Sequence, residues 1–250
     1  MEIVKTKKLL NAQFYGNVHE KKQIFLHHTA GTTADGAINW WNQTPEPVGT
    51  AYLIDRDGSI IEVFSPQCWA FHLGVTTKAG GDPNNLDEKQ SIGIELVAAG
   101  PVYADETGKF VHYPLYPNKA AKNAIKQDEV WDMGEKGWRG ARYYHTYTDK
   151  QIESMIWLVN KLCTDFKINL QPNVLSMFEY NEQVVKDKTP GLWSHSTVRK
   201  DKQDIVPHPS LIEKLLKGFP KNVGAGENKA IFSPKVEKVI PPTPPKTKSK

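Results

Sequence analysis

Three apolar segments, the second of them a pair of runs joined by a turn, do most to restrict what this chain can fold into. Gln23 to His28 (QIFLHH) is closed by Thr29, Ala30 and Gly31. Thr50 to Asp55 (TAYLID) meets Ser59 to Phe64 (SIIEVF) across Arg56, Asp57 and Gly58. The first reads as a strand and the second as a hairpin turned on Asp-Gly. In Ser91 to Val97 (SIGIELV), Ile92, Ile94 and Leu96 fall on one face and Ser91, Gly93 and Glu95 on the other, because successive strand side chains point opposite ways. That is the pattern of a central strand with a carboxylate on one side. Ala34 to Thr44 carries Ala37, Trp40 and Trp41 at helical spacing and stops before Pro45 and Pro47. Thr148 to Gln151 (TDKQ) is a capping box ahead of Ile152, Met155, Ile156, Val159 and Leu162. Ser210 to Glu213 (SLIE) repeats it ahead of Leu215 and Leu216, with Gly218 as the stop. Strands and helices interleaved in this way predict an α/β fold, a mixed central β-sheet flanked by helices.

At 250 residues the chain suits one core with embellishments. A single domain over 1–220 is expected, with a long irregular insertion at about 98–147, where Tyr113, Tyr116, Trp138, Tyr143 and Tyr144 occur without sustained periodicity. Residues 221–250 hold five Pro, seven Lys, two Glu and one aromatic, Phe232, and read as an extended, disordered tail. That tail contributes more than the whole formal charge of +4, leaving the rest nearly neutral. No basic face is predicted, and so no nucleic-acid partner. Cys68 and Cys163 allow at most one bridge, and no C-x-x-C pair points to a zinc ribbon. The first residues lack an apolar run of signal-peptide length, and no stretch reaches the roughly 20 apolar residues of a membrane helix. Neither a signal peptide nor membrane insertion is expected, and the product should be a soluble monomer.

His27 and His28 end an apolar strand and must face opposite ways, so only one of them can reach a given metal. Far downstream, Trp193 to Asp204 (WSHSTVRKDKQD) has neither helical nor strand period. It sets His195 and Asp204 nine residues apart, with Lys202 two before the Asp. Two imidazoles and a carboxylate would leave a fourth tetrahedral position open, the layout of a catalytic zinc site.

These blocks resemble the type 2 N-acetylmuramoyl-L-alanine amidases, whose fold is shared by phage endolysins and animal peptidoglycan-recognition proteins. The matching text is Ile24 to Gly31 (IFLHHTAG), Tyr52 to Gly58 (YLIDRDG), Trp69 to His72 (WAFH) with Gly74, Ser91 to Leu96 (SIGIEL), and His195 with Lys202 to Asp204. All five occur in the family's order between about residues 23 and 208. The resemblance implies Zn²⁺ on His27, His195 and Asp204, Glu95 as the carboxylate handling the attacking water, and Lys202 as the cation beside the developing oxyanion. His28 then faces away as a structural residue; His72 is a candidate substrate-side group or a partner of a metal ligand and Trp69 a candidate substrate-side group, with core packing of Trp69 and a satisfied His72 as the alternative. Two departures stand out. The interval from His195 to the third ligand is one residue shorter than usual, and Ile205, Val206, Pro207 and His208 replace the usual Pro-Gly, which leaves Asp201 or His208 as alternative third ligands. Thr50 stands where some phage members carry Tyr.

The implied activity is zinc-dependent hydrolysis of the amide between N-acetylmuramic acid and L-alanine in peptidoglycan or muropeptides; the setting expected is a phage-type endolysin made in the cytoplasm and acting on the wall after release, with a bacterial enzyme exported by another route or acting on cytosolic muropeptides as the alternative. Bound zinc lowers a water pKa to about 7 and polarises the carbonyl. A carboxylate moving the proton adds about 10²- to 10⁴-fold. Gly93 beside Glu95 is expected to leave room for substrate. Two other readings use the same fold: a non-catalytic peptidoglycan-binding module, and a zinc peptidase cutting within the stem peptide.

Overall fold

The computed structural model describes residues 1–105, 107–112 and 124–224. The Tyr113 and Tyr116 aromatics and nearly all of the expected tail, Phe232 included, lie outside the described residues. The predicted α/β architecture is what forms. Strands β1 (Ile3–Val4), β2 (Gln23–His28), β3 (Tyr52–Ile54), β4 (Ile60–Glu62), β5 (Ser91–Leu96) and β11 (Gly191–Ser194) make a sheet in the order β1-β4-β3-β5-β2-β11. The β3–β4 pair is antiparallel and every other pairing is parallel.

The hairpin turns where Asp57 and Gly58 stand, with Gly58 at φ 88°, a region glycine enters without a Cβ penalty. β2 lies between β5 and β11, and its first five residues are buried. Such an interior strand reads as a continuous apolar run. The β1 and β11 strands were not legible in the sequence, β1 because it is only two residues long.

Helix α1 (Ala34–Trp41) is capped by Thr33, whose Oγ1 accepts from the Gly36 N–H, and it buries Ala34, Ile38 and Trp41. α2 (Leu86–Lys89) is a single turn before β5. α3 (Asp149–Phe166) begins at the expected capping box: Thr148 accepts from the Gln151 N–H while the Gln151 side chain accepts from the Thr148 N–H. Buried Gln151 also donates to the Ile54 and Val97 carbonyls, fastening α3 to the sheet. α4 (Gln183–Lys186) is another short turn. α6 (Pro209–Gly218) differs from expectation. Its cap is His208, with Pro209 at the first turn, so Ser210 lies inside the helix and Glu213 pairs with Lys217 instead of closing a capping box. Gly218 is its last residue, and Phe219 is the C-cap.

The described residues of the insertion are not irregular. Strands β6 (Pro101–Ala104), β7 (Phe110–Val111), β8 (Ala124–Ile125), β9 (Val130–Asp132) and β10 (Tyr143–His145) form a second, antiparallel sheet in the order β8-β7-β6-β10-β9. It has a small core of its own from Ala99, Val102, Phe110, Ile125 and Val130. Strands of two to four residues are too short to show a period.

The folded chain also runs past Pro220. Val174 N–H donates to the Asn222 carbonyl, Gly224 N–H to the Pro172 carbonyl, and the Asn222 side chain to the carbonyls of Leu170 and Gln171. Cys68 and Cys163 are both free thiols. Among the described residues no helix is long and apolar enough to cross a membrane.

Candidate metal centre and cleft

The carboxyl ends of β2, β5 and β11 meet at a cleft of about 1100 Å³. Crevices at that end of parallel strands are where α/β sheets place ligands. His27 comes from β2 and Glu95 from β5, and they are register partners, so both side chains leave the same face. His195 opens α5 (His195–Val198), a short helix directly after β11, so Trp193 to Asp204 is not the period-free loop expected from sequence. Asp204 follows on the next loop.

His27 Nδ1, His195 Nδ1 and Asp204 Oδ2 form a nearly equilateral triangle with edges of 3.0 to 3.1 Å. All three residues are buried. The opposite nitrogen of His195, Nε2, lies 2.8 Å from the Leu73 carbonyl oxygen, which can only accept. The proton is therefore assigned to Nε2, and Nδ1 presents a bare lone pair. His27 Nε2 reaches His72 Nδ1 at 3.0 Å, His72 Nε2 reaches Ser91 Oγ at 2.8 Å, and Ser91 Oγ–H donates to the Glu88 carbonyl at 3.2 Å. Because that chain also ends on an acceptor, its protons run outward and leave His27 Nδ1 bare. Burial drives His27 down to about 4, against the pull of Asp204, which keeps it neutral near pH 7.

Two lone pairs and a carboxylate oxygen therefore face one another with no proton between them. A cation satisfies that arrangement, and the triangle suits one ion with bonds of about 2.0–2.1 Å. Histidine ligands whose other nitrogen donates to a carbonyl or another acceptor are the usual second element of zinc sites. The residues present fit the group that the sequence implied.

Neither alternative third donor joins the triangle, although Asp201 borders the cleft. Asp201 is exposed and held by Arg199 at 2.6 Å, and His208 Nδ1 accepts from Ser210 at the start of α6. His28 emerges from the other face, with Nδ1 3.3 Å from the Tyr147 hydroxyl, although it still borders the cleft at the strand end. His72 is drawn against His27, as described. Trp69 does not line the cleft. It is buried, stacked on Tyr15 at 4.0 Å, and donates from Nε1 to Asn17, because the chain before β2 packs over that ring. Gly93 leaves room for protein and not for substrate: a Cβ there would lie 2.5 Å from Thr50 Cγ2 and 3.2 Å from His72 Nδ1.

Glu95 lines the cleft with Oε2 buried and without a hydrogen-bond partner. Burial pushes its carboxyl well above the ordinary value, with the Asp204 charge adding to the rise and Lys202 opposing it. Lys202 lines the same cleft. Its loop is gripped from the inserted sheet by Arg139, whose guanidinium donates to the carbonyls of Ser196, Arg199, Lys200 and Lys202. Sequence reasoning missed Arg139 and the cleft-lining aromatics Trp40 and Tyr103, 60% and 43% exposed. The signal available for Trp40 was its place beside Trp41: on one helix the two cannot both face the core.

The comparisons with known proteins follow from this geometry. No curated protein matches the chain by sequence. Among solved structures it resembles PlyL, at 16% identity and TM-score 0.46, over 91% of this chain and 100% of that one. It also resembles the N-acetylmuramoyl-L-alanine amidase LysC from Clostridium intestinale URNW, at 14% identity and TM-score 0.44, over 90% and 99% of the two chains. A selenomethionine AmpD derivative aligns at 15% identity and TM-score 0.43, over 89% and 95%. Residues 17–209 match the family model described as N-acetylmuramoyl-L-alanine amidase, a span that contains His27, Glu95, His195, Lys202 and Asp204, and the chain belongs to that family.

Proposed function

We propose that the chain is a zinc-dependent amidase that hydrolyses the bond between the lactyl group of N-acetylmuramic acid and the L-alanine of the stem peptide, acting as an endolysin on the bacterial wall. The observation that carries this reading is the buried triangle of His27 Nδ1, His195 Nδ1 and Asp204 Oδ2 beside the cleft.

His27, His195 and Asp204 would hold the zinc, which supplies polarisation of the amide carbonyl and makes water nucleophilic near neutral pH. Among these groups Glu95 is the one that borders the cleft with a buried carboxylate oxygen, Oε2, lacking a partner. It is suited to take a proton from the attacking water at Oε2 and pass it to the departing alanine nitrogen, because burial has raised its affinity for that proton. Lys202 holds a positive charge at the cleft wall, where it lowers the energy of an oxygen that turns anionic during attack. Trp40 on α1 and Tyr103 on the inserted sheet offer apolar surface to the larger body of the substrate.

Digestion of purified sacculi, followed by mass spectrometry of the released fragments, tests the reading. New alanine amino termini and intact lactyl carboxylates are expected, and they should vanish when the protein is stripped of metal and return with zinc. Cuts inside the stem peptide would replace the amidase with a peptidase, and binding without any cut would make it a recognition module. Clearing of a suspension of susceptible cells tests the endolysin setting.

A further inference from the structure

Glu88 is a buried carboxylate outside the cleft, and its contacts are unusually concentrated. It sits in α2, 3% exposed, and its two oxygens accept from three consecutive backbone N–H groups. Oε2 takes those of His72 and Leu73 at 2.9 and 3.1 Å, and Oε1 those of Leu73 and Gly74 at 3.1 and 2.9 Å. Successive N–H groups turned inward on one anion form a nest. Gly74, at φ 58°, gives this one its curvature, and a Cβ there would meet Arg199 Nη1 at 2.8 Å.

Two of these three residues each hold one histidine of the triangle. The Leu73 carbonyl accepts from His195 Nε2, and the His72 ring accepts from His27 Nε2. The chain through His72 and Ser91 then ends on the backbone carbonyl of Glu88 itself. Every hydrogen bond that fixes which nitrogen of His27 or His195 faces the metal position is thus anchored on one residue, by its side chain in one case and its main chain in the other. Gly93 borders the arrangement, since a Cβ there would clash with Thr50 Cγ2 at 2.5 Å and crowd His72 Nδ1 at 3.2 Å.

We infer that Glu88 is a positioning residue for the metal centre, holding the His72–Gly74 segment so that His27 and His195 are both presented to zinc through Nδ1. The inference rests on the zinc reading above. It adds that metal affinity is set by a carboxylate that never touches the ion. Outer partners of ligand histidines typically contribute 10–100-fold to metal affinity.

The test uses the full chain, stripped of metal and titrated with zinc against a chromogenic chelator, together with ¹⁵N spectra of the histidine rings in the metal-free protein. Glu88→Gln keeps the shape but points an amide donor at the nest. It should weaken zinc binding 10- to 100-fold and turn the single Nε2–H form of His195 into a mixture of ring forms. His72→Leu should weaken binding similarly, and His72→Gln, whose amide oxygen can still accept from His27, should recover most of the loss. If Glu88→Gln does not fold, Glu88→Asp keeps the charge but shortens the reach, and is read the same way. Wild-type affinity with an unchanged ring spectrum in the Glu88 variant would overturn the inference. So would an affinity loss that merely tracks lower melting temperature with the ring forms intact. A wild-type protein that binds no zinc, or binds it equally after His27→Ala, would overturn the metal reading and this one with it.

Discussion

His27 and Glu95 are register partners on adjacent parallel strands, one pair before the strands end. Because partners in register share a face, the closeness of His27 to Glu95 is set by backbone pairing and not by a loop. A slip of one residue would send Glu95 to the far side of the sheet.

Glu95→Gln therefore keeps the shape and removes only the proton acceptor. The variant should hold zinc at wild-type stoichiometry while kcat falls about 10²- to 10⁴-fold. Metal analysis beside turnover on a soluble muropeptide checks it, and loss of metal in this variant would count against the role.

Alanine at His27, His195 or Asp204 removes one corner of the triangle and should abolish both tight zinc binding and lysis. Asp201→Ala should change neither, since that side chain is exposed on Arg199. His208→Ala should keep zinc but cost about 0.5–2 kcal/mol of stability, because it removes the cap of α6. Zinc titration and thermal melting of the five variants separate these outcomes.

The sheet and the site differed in how much the sequence revealed. Alternation in Ser91 to Leu96 already put Glu95 and Gly93 on one face, and the doublet His27–His28 already divided between faces, because strand period is a local property. The function of Gly93 was misread because the room it makes is taken by Thr50 and His72, which come from other parts of the chain. Glu88 and Arg139 act through backbone carbonyls and N–H groups, which have no sequence signature. The inserted sheet was hidden for a related reason: its strands gain stability from cross-strand partners and not from their own pattern.

Arg139, between β9 and β10, links the inserted sheet to the segment that carries Lys202 and Asp204. Its planar guanidinium spreads donors over four carbonyls, a geometry that a lysine ammonium does not reproduce. Arg139→Lys and Arg139→Ala should both reduce kcat by loosening Lys202 and Asp204, with zinc affinity falling less than in the ligand variants. Faster amide hydrogen exchange confined to residues 196–204 would be the accompanying sign, and unchanged exchange there would refute the link.

Acid should destabilise the metal-free protein over a defined range. Burial drives His145 down to about 3, with Arg56, His112 and His28 adding to the effect, whereas an unfolded histidine titrates near about 6.5. The unfolded chain then takes up a proton first. The stability contributed by neutral His145 is complete above about pH 6.5 and is lost as pH falls toward 3, by up to about 1.4 kcal/mol per pH unit. His145→Gln, which can still accept from the Ala99 N–H, should make the acid limb shallower by one proton. It should not become flat, because burial also lowers His208 to about 4. Melting curves between pH 4 and 7 in the presence of a chelator test the slope, and parallel curves for variant and wild type would assign the acid response to other groups.

Truncation distinguishes two ends for the folded chain. Cutting after Pro220 removes Asn222 and Gly224, which together make four hydrogen bonds to residues 170–174, each worth about 0.5–1.5 kcal/mol net. Cutting after Gly224 spares them. The shorter protein should melt several degrees earlier, and the longer one should melt with the full chain and bind zinc as well. The residues removed in the second case carry six Lys and two Glu, so they account for the entire net charge of +4 and leave a neutral remainder. We propose that this segment promotes contact with an anionic wall. Such attraction is screened over about 8 Å at physiological salt, so its loss should be largest in dilute buffer and fade as salt rises. Turnover on a small soluble muropeptide, which has no extended anionic surface, should stay unchanged. Equal loss on sacculi and on the small substrate would show instead that residues after Gly224 pack against the catalytic body.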